Sequence, residues 1–108
     1  MAPSTVSFAQ FSSLARRVAD QARGLGLVPP AFRTPPRVAG VDRTLRRQRD
    51  GRVGGVVAVR LAGRPPAAVV GDLVDGVIAV NGLGGDEAVR ARSALLAGIP
   101  AGVLGRAA

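Results

Sequence analysis

The sequence predicts a small α+β domain with the element order α–β–β–α–α, in which a two-stranded antiparallel hairpin packs on helices. Apolar residues recur every three or four positions near the N-terminus and again after Pro66, as they do along one face of a helix. Val57, Val59 and Leu61 instead occupy every second position, which is typical of a half-buried strand. At 108 residues, the chain has the length of one domain with one modest core.

The expected organisation is a disordered N-terminus over residues 1–6, a single domain over 7–99 and a flexible tail over 100–108. The core should consist mainly of Val, Leu and Ala, because the chain has three Phe and neither Trp nor Tyr. Small side chains bury less apolar area each, and burial is worth roughly 25 cal/mol per Å². We therefore expect a marginally stable monomer, which a homodimer could complete.

The first helix is predicted from about Ser7 to Leu25. Ser7 or Thr5 can cap its start, and Gly24 or Gly26 can end it in a left-handed conformation. One apolar stripe runs along this helix and consists of Phe8, Phe11, Ala15, Val18, Ala22 and Leu25. The stripe either packs on the protein's own core or forms the seam of a dimer, and the sequence leaves both interpretations open.

A proline-rich connector is predicted over residues 27–40. Four prolines between residues 29 and 36 exclude a helix or a central strand there, so we expect an extended, polyproline-like segment. Phe32 is the one large apolar residue of the connector. It is expected to anchor this segment on the core.

Residues 41–48 and 52–62 are predicted to be the two strands of the hairpin. A three-residue loop at 49–51 joins them and uses Gly51 in a left-handed conformation. This loop pairs Arg43 with Val57 and brings the larger apolar residues of both strands to one face. A two-residue loop would place them on opposite faces, so burial favours the longer loop.

Two helices are predicted after the hairpin. The first covers residues 66–81, because a proline is tolerated in the first helical turn and Asn81-Gly82 is a natural stop. Its glycines and β-branched residues leave two short strands as an alternative. The second helix begins near Asp86, an acid that suits a helix N-terminus, and ends at Gly98.

Arginines are concentrated in one third of the chain. Residues 33–66 contain nine arginines and two aspartates, which places +7 of the formal +8 charge there. On the predicted register, Arg46 and Arg60 project from the solvent face of the hairpin, as do Arg52 near the turn and Arg64 beyond the strand. We hypothesise that an anion-binding surface is formed by Arg43, Arg46, Arg47, Arg49, Arg52 and Arg60.

Nucleic acid is the partner that this charge favours most. Arginines on a β-ribbon can contact phosphates or base edges in a duplex groove. Proteins that bind single strands use aromatic stacking, and the predicted strands contain no aromatic residue, so duplex DNA or structured RNA is expected. The alternative is a protein–protein interaction module that docks on an acidic protein or self-associates through the hairpin edge or the helix stripe.

Catalysis and cofactor binding are not expected. The chain lacks His, Cys, Lys and Tyr, so the usual general base, thiol nucleophile and P-loop lysine are missing. The glycines before the last helix fail the G-x-G-x-x-G pattern, because Glu87 occupies the third glycine position. Asp72 and Asp75 could bind Mg²⁺, but such pairs are more commonly solvated or paired with arginines. No metal or cofactor is predicted.

A cytoplasmic location is expected. No apolar run approaches the ~20 residues that a membrane-spanning helix needs, and the N-terminus lacks the apolar stretch and cleavage site of a secretory signal.

Several segments together resemble short uncharacterised basic proteins of high-GC actinobacteria. The resemblance extends over about residues 14–97. It is carried by Pro30 to Pro36, Asp42 to Arg46, Val57 to Pro65, Asp72, Asp75-Gly76 and Val80 to Leu83. It implies a cytoplasmic bacterial setting and favours the helical interpretation of residues 66–81. It implies no activity, cofactor or catalytic residue.

Overall fold

A computed structural model describes residues 5–33, 43–47, 53–61 and 63–104. The mixed α+β class is confirmed. The elements in chain order are α1 (Phe8–Gly24), β1 (Ala31–Arg33), β2 (Arg43–Arg47), β3 (Val53–Ala58), α2 (Pro66–Val80), α3 (Gly85–Ala97) and α4 (Ala101–Leu104). The hairpin loop predicted at residues 49–51 lies outside the described residues.

Helix α1 has the caps that its sequence favours. Ser7 Oγ accepts from the Gln10 N–H at 3.1 Å, and Gln10 Oε1 accepts from the Ser7 N–H at 2.8 Å, forming a reciprocal capping box. At the other end, Gly26 has a φ of 77°, and the Leu27 N–H donates to Ala22 O at 2.8 Å. These bonds satisfy backbone groups that the helix ends would otherwise leave unpaired.

The apolar stripe of α1 packs on the protein's own core. Phe11, Val18 and Ala22 of the stripe are buried, and so is Leu14, which the predicted stripe did not include. Phe8 and Leu25 belong to the predicted stripe but are 64% and 44% exposed, because they lie at the two ends of the helix, beyond the elements that cover its middle. The middle of the stripe therefore packs on the protein's own core, as the first of the two interpretations expects.

The sheet differs from the predicted hairpin. Its strand order is β1-β3-β2, with β2 antiparallel and β1 parallel to β3. In β2, Arg43 lies opposite Val57 and Leu45 opposite Gly55. The prediction of an entirely antiparallel, two-stranded sheet was wrong, because residues 31–33 of the proline-rich connector add the parallel strand. A strand at a sheet edge tolerates flanking prolines, since few of its amides need partners.

Helix α2 joins the sheet to the other helices. The helical interpretation of this segment is confirmed, with Pro66 in the first turn. It packs against α1, α3 and β3. A Cβ atom at Gly76 would lie 3.1 Å from Phe32 Cε1 and 3.1 Å from Val57 Cγ2. The missing side chain therefore lets the sheet approach the helix closely, and Phe32 anchors β1 as expected.

Both ends of the described chain contact the core. Val6 is buried, and its N–H donates to Arg64 O at 3.2 Å. At the other end, one helical turn, α4, follows the buried Ile99. An apolar side chain that reaches the core holds each of these short segments in place.

Candidate nucleic-acid interface

The sheet has one face toward α2 and one face away from it. Val57 and Val59 are fully buried and Phe32 is half-buried against the core, so these residues mark the inner face. Successive residues of a strand alternate between faces. Ala31 and Arg33, the neighbours of Phe32, are exposed, and they mark the side that we call the outer face.

The backbone register divides the candidate arginines between these faces. Arg46 lies opposite Gly54, at an outer-face position. Arg60 follows the buried Val59, so the alternation of the strand places it on the outer face as well. Arg43 lies opposite Val57 and Arg47 opposite Val53, so both occupy inner-face positions. Arg49 and Arg52 lie outside the described residues. The structure thus brings Arg46 and Arg60 to one face and places Arg43 and Arg47 on the other.

Arg33 is an outer-face residue that sequence reasoning missed. It is exposed, and its backbone pairs with β3 opposite Ala58. The Val59 N–H donates to Arg33 O at 2.8 Å, which extends this pairing past the end of β3. The available signal was Phe32: if that ring faces the core, the alternation of an extended strand turns Arg33 away from it.

Arg60 is more enclosed than Arg33. It is half-buried, and its Nε is inaccessible to solvent and has no hydrogen-bond acceptor in the described part of the chain. Leaving a buried donor unsatisfied costs about 1–3 kcal/mol. The guanidinium has further N–H donors at its tip, which suit an external anion.

Arg64 was predicted to face solvent and instead forms an ion pair with Asp72 of α2. The two side chains are 25% and 12% exposed. Asp72 is buried. Arg92 pairs with Asp75. Of the two alternatives expected for these aspartates, solvation or pairing with arginines, the structure has pairing, although Arg92 belongs to α3 and not to the hairpin. Arg64 is committed to the fold.

The outer-face positions are spaced widely enough to contact two phosphate strands. Arg33 and Arg46 lie on the two strands that flank β3, about 10 Å apart across the sheet. They align with Ala58 and Gly54, so they are also about 13 Å apart along the strands. The backbones of Arg33 and Arg46 are therefore about 16 Å apart. The major groove of a duplex is ~12 Å wide, so two arginine side chains that lean toward each other could reach the phosphates on its two sides.

The described outer face offers no aromatic stacking platform. Phe32 lies on the inner face, and Phe8 and Phe11 belong to α1. The chain's three Phe are thereby accounted for. Without aromatic rings, the face can contact phosphates and sugar edges but cannot stack splayed bases.

Over residues 5–33, 43–47, 53–61 and 63–104, the acidic side chains form no cluster of three that could hold a metal ion. Within the same ranges, no helix combines the length and hydropathy needed to cross a membrane. Comparison with protein families, curated proteins and solved structures finds no match to this chain.

Proposed function

We propose that the protein is a non-catalytic binding protein that contacts nucleic acid through Arg33, Arg46 and Arg60 on the outer face of its sheet. The observation that supports this proposal is the register, which assigns Arg33 and Arg46 to the same face. Arg60, two residues beyond β3, continues the alternation of that strand on the same side. Their neighbours on that face are the small residues Ala31, Gly54 and Ala58, together with Thr44 and Val56. This function fits the cytoplasmic setting expected from the sequence.

Duplex DNA or structured RNA is the proposed ligand. A face that bears guanidinium groups without aromatic rings recognises the sugar–phosphate backbone more readily than exposed bases. Each neutralised phosphate releases counterions and contributes about 0.9 to the slope of log affinity against log salt on B-DNA, so three contacts give a slope of about 3. Binding should depend little on sequence.

Fluorescence anisotropy with labelled duplex DNA and an RNA hairpin, titrated across salt concentrations, tests the proposal. The triple variant Arg33→Ala/Arg46→Ala/Arg60→Ala should bind weakly and reduce the salt slope by about 3. A control variant, Arg16→Ala/Arg17→Ala/Arg23→Ala, removes the same charge from the exposed side of α1 and should retain most of the slope. Equal losses in both variants would mean that net charge alone drives binding.

Adjacent residues of β2 provide a finer comparison. Arg46 and Arg47 carry the same charge, but their register positions lie on opposite faces of the sheet. Arg46→Ala should therefore weaken binding more than Arg47→Ala does. If neither duplex binds at low salt, the nucleic-acid proposal fails, and an acidic protein partner becomes the function to test.

A further inference from the structure

A shallow apolar groove lies at the end of the molecule where α1 and α2 terminate. Leu25 and Leu27 of the loop after α1, and Leu83 of the loop after α2, line one side of it. Ala91 and Ala94 of α3 line the other side, and the groove encloses about 320 Å³. Five apolar residues thus surround a space that no side chain of the described structure fills.

The groove continues into exposed apolar surface. Leu25 is 44% exposed, and Val28, three residues further along the same loop, is 56% exposed. By contrast, Leu14, Leu73 and Leu95 are buried in the core. Covering exposed apolar area is favourable, at roughly 25 cal/mol per Å², so a partner that fits the groove gains stability there.

Two opposite charges border the groove, one helical turn apart on α3. Glu87 and Arg90 both line it, and neither forms an ion pair within the described residues. Their charges cancel locally, whereas the whole chain carries +8. Two copies of so basic a chain repel each other least where such a balanced surface meets itself.

We propose that this groove binds a second copy of the chain, with the two α3 helices antiparallel about a two-fold axis. A two-fold interface requires a patch complementary to itself. Pairing Glu87 with the partner's Arg90 centres the axis between residues 88 and 89. Leu83 lies just before α3 and lines the same groove, so its large apolar side chain is available to the small residues of the partner's α3. Charge complementarity sets the register.

The dimer should be weak. Stable interfaces usually bury about 800 Å² on each partner, which is more than a shallow groove and its rim provide. A dissociation constant in the micromolar range or above is expected. The proposed charge pair lies on α3 and the outer-face arginines lie on the sheet segments, so the proposal stands whether or not those arginines bind nucleic acid.

Sedimentation equilibrium on the full chain, from about 1 µM to about 1 mM, covers the range in which such a dimer dissociates. Wild type should show a concentration-dependent monomer–dimer equilibrium. Glu87→Arg and Arg90→Glu should each weaken the dimer by at least about tenfold, equivalent to about 1.4 kcal/mol. The double swap Glu87→Arg/Arg90→Glu should restore it, because the opposite charges meet again with their positions exchanged.

These variants also distinguish the effect of the proposed Glu87–Arg90 pair from the effects of net charge and of misfolding. The two single changes shift the net charge in opposite directions, so a general repulsion would strengthen one dimer while weakening the other. Recovery in the double swap shows that the altered helix still folds. A chain that stays monomeric at every concentration would overturn the proposal, as would a dimer indifferent to either single change or a swap that fails to recover.

Discussion

The side-chain amide of Asn81 pairs with the backbone of Val28. Its Oδ1 accepts from the Val28 N–H, and its Nδ2 donates to Val28 O, both at 2.9 Å. Nδ2 also donates to Val77 O at 2.8 Å, within the last turn of α2. One side chain thus closes α2 and fastens the loop that leads to β1, although Asn81 and Val28 are 53 residues apart in sequence.

Asn81→Ala should lower the free energy of unfolding by about 1–2 kcal/mol, because three hydrogen bonds are lost while water replaces some of them at this exposed site. Urea denaturation checks this. Ser93→Ala, at an exposed position of α3, is the control and should change the free energy of unfolding by no more than about 0.5 kcal/mol. Equal stability of the two variants would contradict a fastening role for Asn81.

Two glycines of α2 should respond oppositely to alanine. A Cβ at Gly71 meets nothing within 4 Å, so Gly71→Ala should stabilise the protein by about 0.5–1 kcal/mol through helix propensity. At Gly76, the new Cβ would press on Val57, which is fully buried in the central strand. Overpacking of a core costs about 1–3 kcal/mol, so Gly76→Ala should destabilise.

Thermal unfolding of both glycine variants beside wild type makes the comparison. A Gly76→Ala protein as stable as Gly71→Ala would mean that the sheet does not pack closely on α2 at this position.

The two phenylalanines of α1 should differ sharply in their importance. Phe11 is 4% exposed and Phe8 is 64% exposed, although they are three residues apart on one helix. Phe11→Ala should cost about 3–4 kcal/mol of unfolding free energy through lost burial and the cavity left behind. Phe8→Ala should cost less than about 0.5 kcal/mol. Urea titrations of both variants test this, and similar losses would show that Phe8 is covered.

The ion pair of Arg64 and Asp72 should contribute to stability. Asp72→Asn removes the charge beside a largely buried guanidinium, and we expect a loss of about 1–3 kcal/mol. The control is Asp86→Asn, which changes an exposed carboxylate in the first turn of α3 and should cost less than about 1 kcal/mol. Urea denaturation at neutral pH compares the two. An Asp72→Asn protein as stable as the control would mean that the pair is energetically neutral.

The helices were largely predictable because their signals are local. The capping box at Ser7, the left-handed Gly26 and the Asn81-Gly82 stop all act within a few residues of the chain. The choice of a helix for α2 over two short strands followed from the spacing of its apolar residues. The spacing of apolar residues does not show which polar side chain of a helix is buried in the folded protein, however. The buried ion pair of Asp72 with Arg64 was therefore not predicted.

Strand β1 and its outer-face arginine were not predictable in the same way. The three residues of β1 are too few to show the alternating pattern of a strand. The residues they pair with, 56–58, lie 25 positions further along the chain. A parallel pairing of this kind depends on tertiary packing, here the contact of Phe32 with the core. Sequence reasoning therefore concentrated the candidate site on the hairpin and omitted Arg33.

The central position of β3 has a consequence for how the chain acquires its sheet during synthesis. Both of its neighbours, β1 and β2, precede it in the chain, and they do not pair with each other. Neither therefore has a sheet partner until β3 has left the ribosome, and the covering helix α2 follows directly after. The nascent chain should thus carry two unpaired arginine-bearing segments until residues 53–58 have emerged, and the long-range pairings of the sheet can form only then.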